Sequence, residues 1–131
     1  MARIAIDFDG VLSTYENGYT TEGPLDPPVE GAKEFVWWLV NHKYEVFIFT
    51  ARCDMHTHGP TIVLREQLRI REWLRLHGFP EIETITGWKI HADFYIDDRG
   101  FRFEGEFGPV LQFIKHGLKP WNKKDKKDAD L

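Results

Sequence analysis

Short apolar runs alternate along this chain with stretches of helical period, and that alternation limits the folds open to it. The runs lie at roughly 3–7, 45–50, 82–85 and 94–96. Between the first two, Ala32, Phe35, Val36, Leu39 and Val40 recur at helical spacing and predict a helix over roughly 28–42. Asp26 followed by Pro27 suits a helix N-cap and first position. A second helix is expected over 61–77, with Gly78 as its C-cap, and a third over 109–116. A Gly-, Tyr-, Thr- and Pro-rich loop fills about 10–25, and a polar loop fills 51–60. Strands that are apolar throughout belong in sheets covered on both faces, and β–α alternation makes such sheets parallel. The expected fold is therefore α/β: a three-layer, Rossmann-like parallel sheet flanked by helices.

Polar residues close three of these strands. The first ends in Asp7-Phe8-Asp9-Gly10, the second in Thr50 and the fourth in Asp97-Asp98. Ligands of open α/β sheets bind beyond the carboxyl ends of the strands. An extended chain puts Asp7 and Asp9 on one side. Two neighbouring carboxylates repel unless a cation or a proton sits between them, and carboxylate oxygens are the ligands hard cations such as Mg2+ prefer. Asp-x-Asp-Gly also describes a strand that simply ends in an Asp-Gly turn; polar groups at the same end of three strands favour a site.

The chain has 131 residues, enough for one domain with a real core. Hydrophobic residues make up 42% and aromatics 15%, so it is expected to be globular. No apolar run approaches a membrane span, no signal peptide is evident, and a lone cysteine, Cys53, suits a reducing, cytoplasmic setting. The formal charge is −4, but residues 119–131 hold five Lys and three Asp, which leaves the rest near −6. An acidic body argues against extended nucleic acid binding. Residues 1–118 are read as the domain and 119–131 as a charged, disordered tail.

With those strand ends in view, the chain resembles the haloacid dehalogenase-like superfamily of phosphotransferases. Asp7-Phe8-Asp9-Gly10-Val11-Leu12 matches its first motif, Thr50 after Val46-Phe47-Ile48-Phe49 the second, and Asp97-Asp98 after Phe94-Tyr95-Ile96 the fourth; Lys89 is the candidate for the third. The resemblance implies an Mg2+-dependent phosphatase. Asp7 would be the nucleophile and Asp9 the acid and base. Thr50 and Lys89 would bind the phosphoryl group. Asp7, Asp97, Asp98 and the backbone carbonyl of Asp9 would hold the metal. Phe8 and Arg52 are taken as substrate contacts, since Thr50-Ala51-Arg52 puts a guanidinium just past the phosphate position. Two departures from the family pattern stand out: Lys89 is only eight residues before Asp97, and Val11 replaces the usual Thr.

Neither gap between motifs has room for a cap domain, so the resemblance implies a capless member. An open site suits a bulky substrate, or a small one covered by a neighbouring copy in a homo-oligomer. A phosphorylated sugar or other small metabolite is the expected substrate. A 3′-phosphatase acting on nucleic acid ends and a non-catalytic binding or regulatory protein are the alternatives. His56 and His58 read as a solvated loop pair rather than zinc ligands, having no third ligand nearby. Trp37 and Trp38 read as packing residues. Trp88, Tyr15 and Tyr19 are better placed to reach a substrate. Arg65, Arg69, Arg71 and Arg75 read as a solvated helix face paired with Glu66 and Glu72.

Overall fold

The computed structural model describes residues 2–88, 90–97 and 105–116. Lys89, Asp98 and the tail at 119–131 lie outside the described residues. In chain order the elements are β1 (Arg3–Ile6), α1 (Ala32–Asn41), β2 (Glu45–Phe49), a 3-10 turn (Ala51–Cys53), α2 (Met55–Leu76), β3 (Thr84–Thr86), β4 (Phe94–Ile96) and α3 (Gly108–His116). The four strands form one sheet in the order β3-β2-β1-β4, and every pairing is parallel. β1 is central: Ile6 pairs with Ile48 on one side and Ile96 on the other. The expected parallel sheet flanked by helices is present.

The register explains the core. Ile4 and Ile6 share a face with Ile48, Ile85 and Ile96, as strand alternation requires. That face joins one buried cluster with Phe35, Val36 and Leu39 of α1, Val63, Ile70 and Trp73 of α2, and Val110 and Ile114 of α3. Burying an aliphatic or aromatic side chain of this size contributes about 1.5–3 kcal/mol, so this face carries most of the drive to fold. Among the described residues no helix is long and apolar enough to cross a membrane.

Two helix starts differ from the sequence expectation. α1 begins at Ala32 after Gly31, whose φ of 86° is the left-handed turn that glycine tolerates. Asp26 does not cap it. The chain there is held extended instead: Thr14 N–H donates to Pro27 O at 2.8 Å and Val29 N–H to Leu12 O at 2.8 Å. The Asp26 carboxylate accepts from Asn17 N–H, and its carbonyl accepts from Trp73 Nε1. Tertiary pairing has overridden the local capping signal.

α2 begins earlier than expected, at Met55. Asp54 caps it by accepting from His56 N–H at 3.0 Å and from the Thr57 hydroxyl at 2.9 Å. The Gly59-Pro60 pair, a helix breaker on paper, becomes a kink: Gly59 takes φ 77° and ψ 169° and the helix resumes. His56 and His58 therefore stand on a helical turn rather than in an open loop.

Candidate functional site

The sheet itself brings Asp7 and Asp97 together. Both sit one residue beyond the paired Ile6 and Ile96, and Asp7 N–H still donates to Ile96 O at 3.2 Å. The pairing thus runs past β1 and sets the two aspartates on neighbouring strands at the carboxyl edge. Thr50 is set on the other side of β1, at the end of β2, where its N–H donates to Thr86 O at 2.9 Å. Its hydroxyl accepts from Arg52 N–H at 3.2 Å, which leaves the hydroxyl proton to donate elsewhere.

After Asp7 the chain leaves the sheet. The Phe8 carbonyl accepts from the N–H groups of Val11, Leu12 and Ser13, and Gly10 makes the turn with φ 79°. Phe8 N–H donates back to Asp7 Oδ1 at 2.8 Å. The Phe8 ring points inward. It is fully buried, with its centroid 4.9 Å from that of Trp73 at 79°. The sequence reading of Phe8 as a substrate contact is corrected on this point: its ring belongs to the core, and only its backbone lies at the edge.

Beyond the turn, Asp9 meets the Arg52 guanidinium. Both Asp9 oxygens accept from Arg52 Nε, at 3.0 and 2.8 Å. Arg52 also needs correction. It is only 3% exposed, and its guanidinium is engaged on several sides. NH1 lies 3.7 Å from Glu66 Oε2 and donates to Thr20 O at 3.4 Å, and Cζ sits 5.0 Å from the Tyr19 ring centroid. A guanidinium held this way orients Asp9 instead of reaching out to grip phosphate. Burial pulls the Arg52 guanidinium down, but the hydrogen bond to Asp9 and the charges of Asp9 and Glu66 outweigh it, holding Arg52 above its ordinary value.

Glu66 is the site-adjacent residue the sequence reading missed. It was assigned to a solvated face; it is fully buried. Arg69 NH1 donates to both of its oxygens at 3.0 Å, and Arg65 NH2 to Oε1 at 3.3 Å. Arg69 further donates to Thr20 O and Gly23 O, tying the loop after β1 to α2. Arg71 instead donates to two backbone carbonyls, Ile82 O and Glu83 O. The Arg75–Glu72 pair alone matches the exposed ion pairing expected of this helix. A signal for Glu66 existed: Val63, Glu66, Ile70 and Trp73 share one helical stripe, and a charged residue in that stripe must be buried with partners.

Around this edge, Tyr19 stacks on His58 at 6.1 Å and His56 lies 6.5 Å from the exposed Trp88 ring. Cys53, below Thr50, is buried; burial and then the Glu66 charge push its thiol up to about 11 against the opposing pull of Arg52, so it is a poor nucleophile.

Among the described residues no group of three or more His, Cys, Asp or Glu side chains is gathered to hold a metal ion. The donor chemistry still fits Mg2+, which keeps several waters and commonly takes only one or two protein carboxylates. Asp7 and Asp97 on adjacent strands offer two.

No protein-family model matches this chain, and no curated protein matches it. Among solved structures, a conserved protein from Bacteroides thetaiotaomicron superposes with a TM-score of 0.61 at 22% sequence identity. The match covers 95% of this chain and 96% of that one. At that identity the similarity shows a shared fold.

Proposed function

We propose that this chain is an Mg2+-dependent phosphatase of the haloacid dehalogenase-like type, capless, acting on a phosphomonoester such as a sugar phosphate or other small metabolite. One observation carries the reading: the carboxyl edge sets Asp7 beside Asp97 by sheet pairing, with Thr50 on the next strand, while Asp9 is turned to a different partner. A nucleophilic carboxylate beside one that holds metal, with a third that moves a proton, is what nucleophilic phosphate transfer needs.

Asp7 attacks phosphorus; the bond from its oxygen to phosphorus forms as the bond to the leaving oxygen breaks. Asp9 gives its proton to that leaving oxygen. Asp9 then takes a proton from water, the water oxygen attacks the aspartyl phosphate, and phosphate and the Asp7 carboxylate are released. The Thr50 hydroxyl donates to a phosphoryl oxygen throughout, and Lys89 is the candidate for a balancing positive charge. Asp7, Asp97 and the Asp9 carbonyl would hold Mg2+, with Asp98 as a further candidate, and the ion would supply charge that screens the repulsion between the Asp7 carboxylate and a phosphate dianion.

The test is hydrolysis of p-nitrophenyl phosphate with and without Mg2+, followed by a panel of phosphorylated sugars, nucleotides and 3′-phosphate oligonucleotides. Activity that needs Mg2+ and disappears in Asp7→Asn, with the thermal unfolding curve retained, is the expected result. Wild-type turnover in Asp7→Asn would remove Asp7 from the nucleophile role. Preference for the oligonucleotides would replace the small-metabolite substrate with a nucleic acid end.

A further inference from the structure

We propose that Glu66 is a positioning residue for the acid–base step: a buried carboxylate on α2 that fixes the Arg52 guanidinium, and through it Asp9, while Arg69 ties the loop after β1 to the same anchor. The inference rests on the reading of Asp9 as the proton donor and goes beyond it by assigning what aims that donor.

Glu66 stands where the helix pattern calls for an apolar residue. It occupies a core stripe with Val63, Ile70 and Trp73 and is fully buried. Burying a carboxylate is costly, and even a well-paired buried ion cluster is often no more stable than apolar side chains of the same volume. With its arginine partners replaced too, an apolar residue would fill the stripe as well; alone it would leave buried Arg52 and half-buried Arg69 without that carboxylate. It would not do what Glu66 does to its neighbours. Arg52 meets Asp9 through Nε at one end of its planar fork and Glu66 and Thr20 O through NH1 at the other. The Tyr19 ring covers its face. With both ends and one face held, the guanidinium has little freedom to swing, and the one N–H shared by both Asp9 oxygens fixes that carboxylate in turn. Asp9 itself remains 21% exposed, so the group being aimed can still be reached from the open edge.

Arg69 extends the same anchor to the loop. It takes both Glu66 oxygens and donates to Thr20 O and Gly23 O at 3.0 Å each. Glu66 therefore gathers the acid–base aspartate and the loop beside it on one buried charge, without facing the substrate.

The test uses aryl phosphates with graded leaving groups, from phenyl phosphate to 2,4-dinitrophenyl phosphate, at saturating Mg2+. A poor leaving group needs the donated proton; a good one does not. The quantity to follow is kcat/KM, which reports transfer to Asp7. A donor displaced by even about 1 Å can lose about 100-fold. Glu66→Gln should therefore lower kcat/KM for phenyl phosphate by about 10- to 100-fold, with a much smaller loss for the dinitrophenyl ester and an unchanged Mg2+ requirement. Arg52→Lys keeps the charge but cannot span both carboxylates, so it should show the same leaving-group pattern; it carries the test if Glu66→Gln does not fold. An equal loss on every ester, or no loss, overturns the inference while the phosphatase reading stands. A wild type inert on every ester overturns both.

Discussion

Phe8 separates two ways of reading the residue between the paired aspartates. If its ring belongs to the core, Phe8→Leu acts on stability; if it touches substrate, the same change acts on KM. The ring is fully buried and meets Trp73 edge-on at 4.9 Å. A hydrophobic swap of nearly conserved volume costs up to about 1.5 kcal/mol, and the lost aromatic pair adds about 0.5–1.5 kcal/mol. Phe8→Leu should therefore cost about 1–3 kcal/mol, and Phe8→Ala, which leaves a cavity, about 3–5 kcal/mol. For a domain of this size each kcal/mol lowers Tm by about 3–6 °C. Urea unfolding is the assay: the midpoint should fall with the slope unchanged. KM for p-nitrophenyl phosphate should stay within about twofold of wild type, because removing no substrate contact removes no binding energy. A variant of wild-type stability with a raised KM would refute the reasoning and return Phe8 to the substrate.

Gly87→Ala should be strongly destabilising for a different reason: a Cβ there would sit 2.4 Å from the Cys53 carbonyl oxygen and 2.5 Å from Asp54 N, so backbone must move, at a cost of about 1–3 kcal/mol or more readable as a lower Tm. Asp97→Asn should weaken Mg2+ binding by about tenfold or more, whereas Asp9→Asn should slow turnover and leave binding near wild type; equal losses by calorimetric titration would make the Asp9 side chain a ligand. The hydrogen bond from the Thr57 hydroxyl, then that from His56 N–H, holds the Asp54 carboxyl below its ordinary value of 3.8. Its capping contribution is thus fully present above pH 3.8 and is lost as pH falls through the lower folded value. The Tm gap between wild type and Asp54→Ala should accordingly shrink on acidification, and a gap independent of pH would show that the charge contributes nothing.

The sequence made the sheet legible because apolar runs must be buried wherever the chain puts them. Ile4, Ile6, Ile48 and Ile96 needed no tertiary knowledge to be placed in a core. Capping was less legible, since Asp26 is a good N-cap in isolation and loses to the backbone pairing of Thr14 with Pro27 and Val29 with Leu12. The start of α2 was hidden by Gly59-Pro60, because a breaker signal does not say whether the chain stops or bends. Arg52 was placed near Thr50 correctly along the chain and wrongly in direction. The 3-10 turn at Ala51–Cys53 decides where the guanidinium goes, and nothing in a tripeptide announces that turn. Glu66 was legible in principle, from a carboxylate standing in an apolar helical stripe.

A chain that stayed extended would put Asp7 and Asp9 on one side, since a strand alternates its side chains, whereas the acid and base role expected of Asp9 asks its carboxyl to face away from the metal. The backbone makes them differ. Sheet pairing continues through Asp7 N–H, so Asp7 keeps its place beside Asp97. It ends there, because the next three N–H groups beyond Asp9 and Gly10 close on the Phe8 carbonyl. Burying the Phe8 ring anchors that turn to Trp73 of α2, the helix that also carries Glu66. One helix thus holds the turn from below through an aromatic contact and the Asp9 carboxylate from the side through Arg52. That Asp7 stays at the paired sheet edge while Asp9 leaves it follows from where one carbonyl accepts its hydrogen bonds. A change that lets pairing run on to Asp9 would bring three acids together at one edge and lose the division of roles that the proposed phosphatase needs.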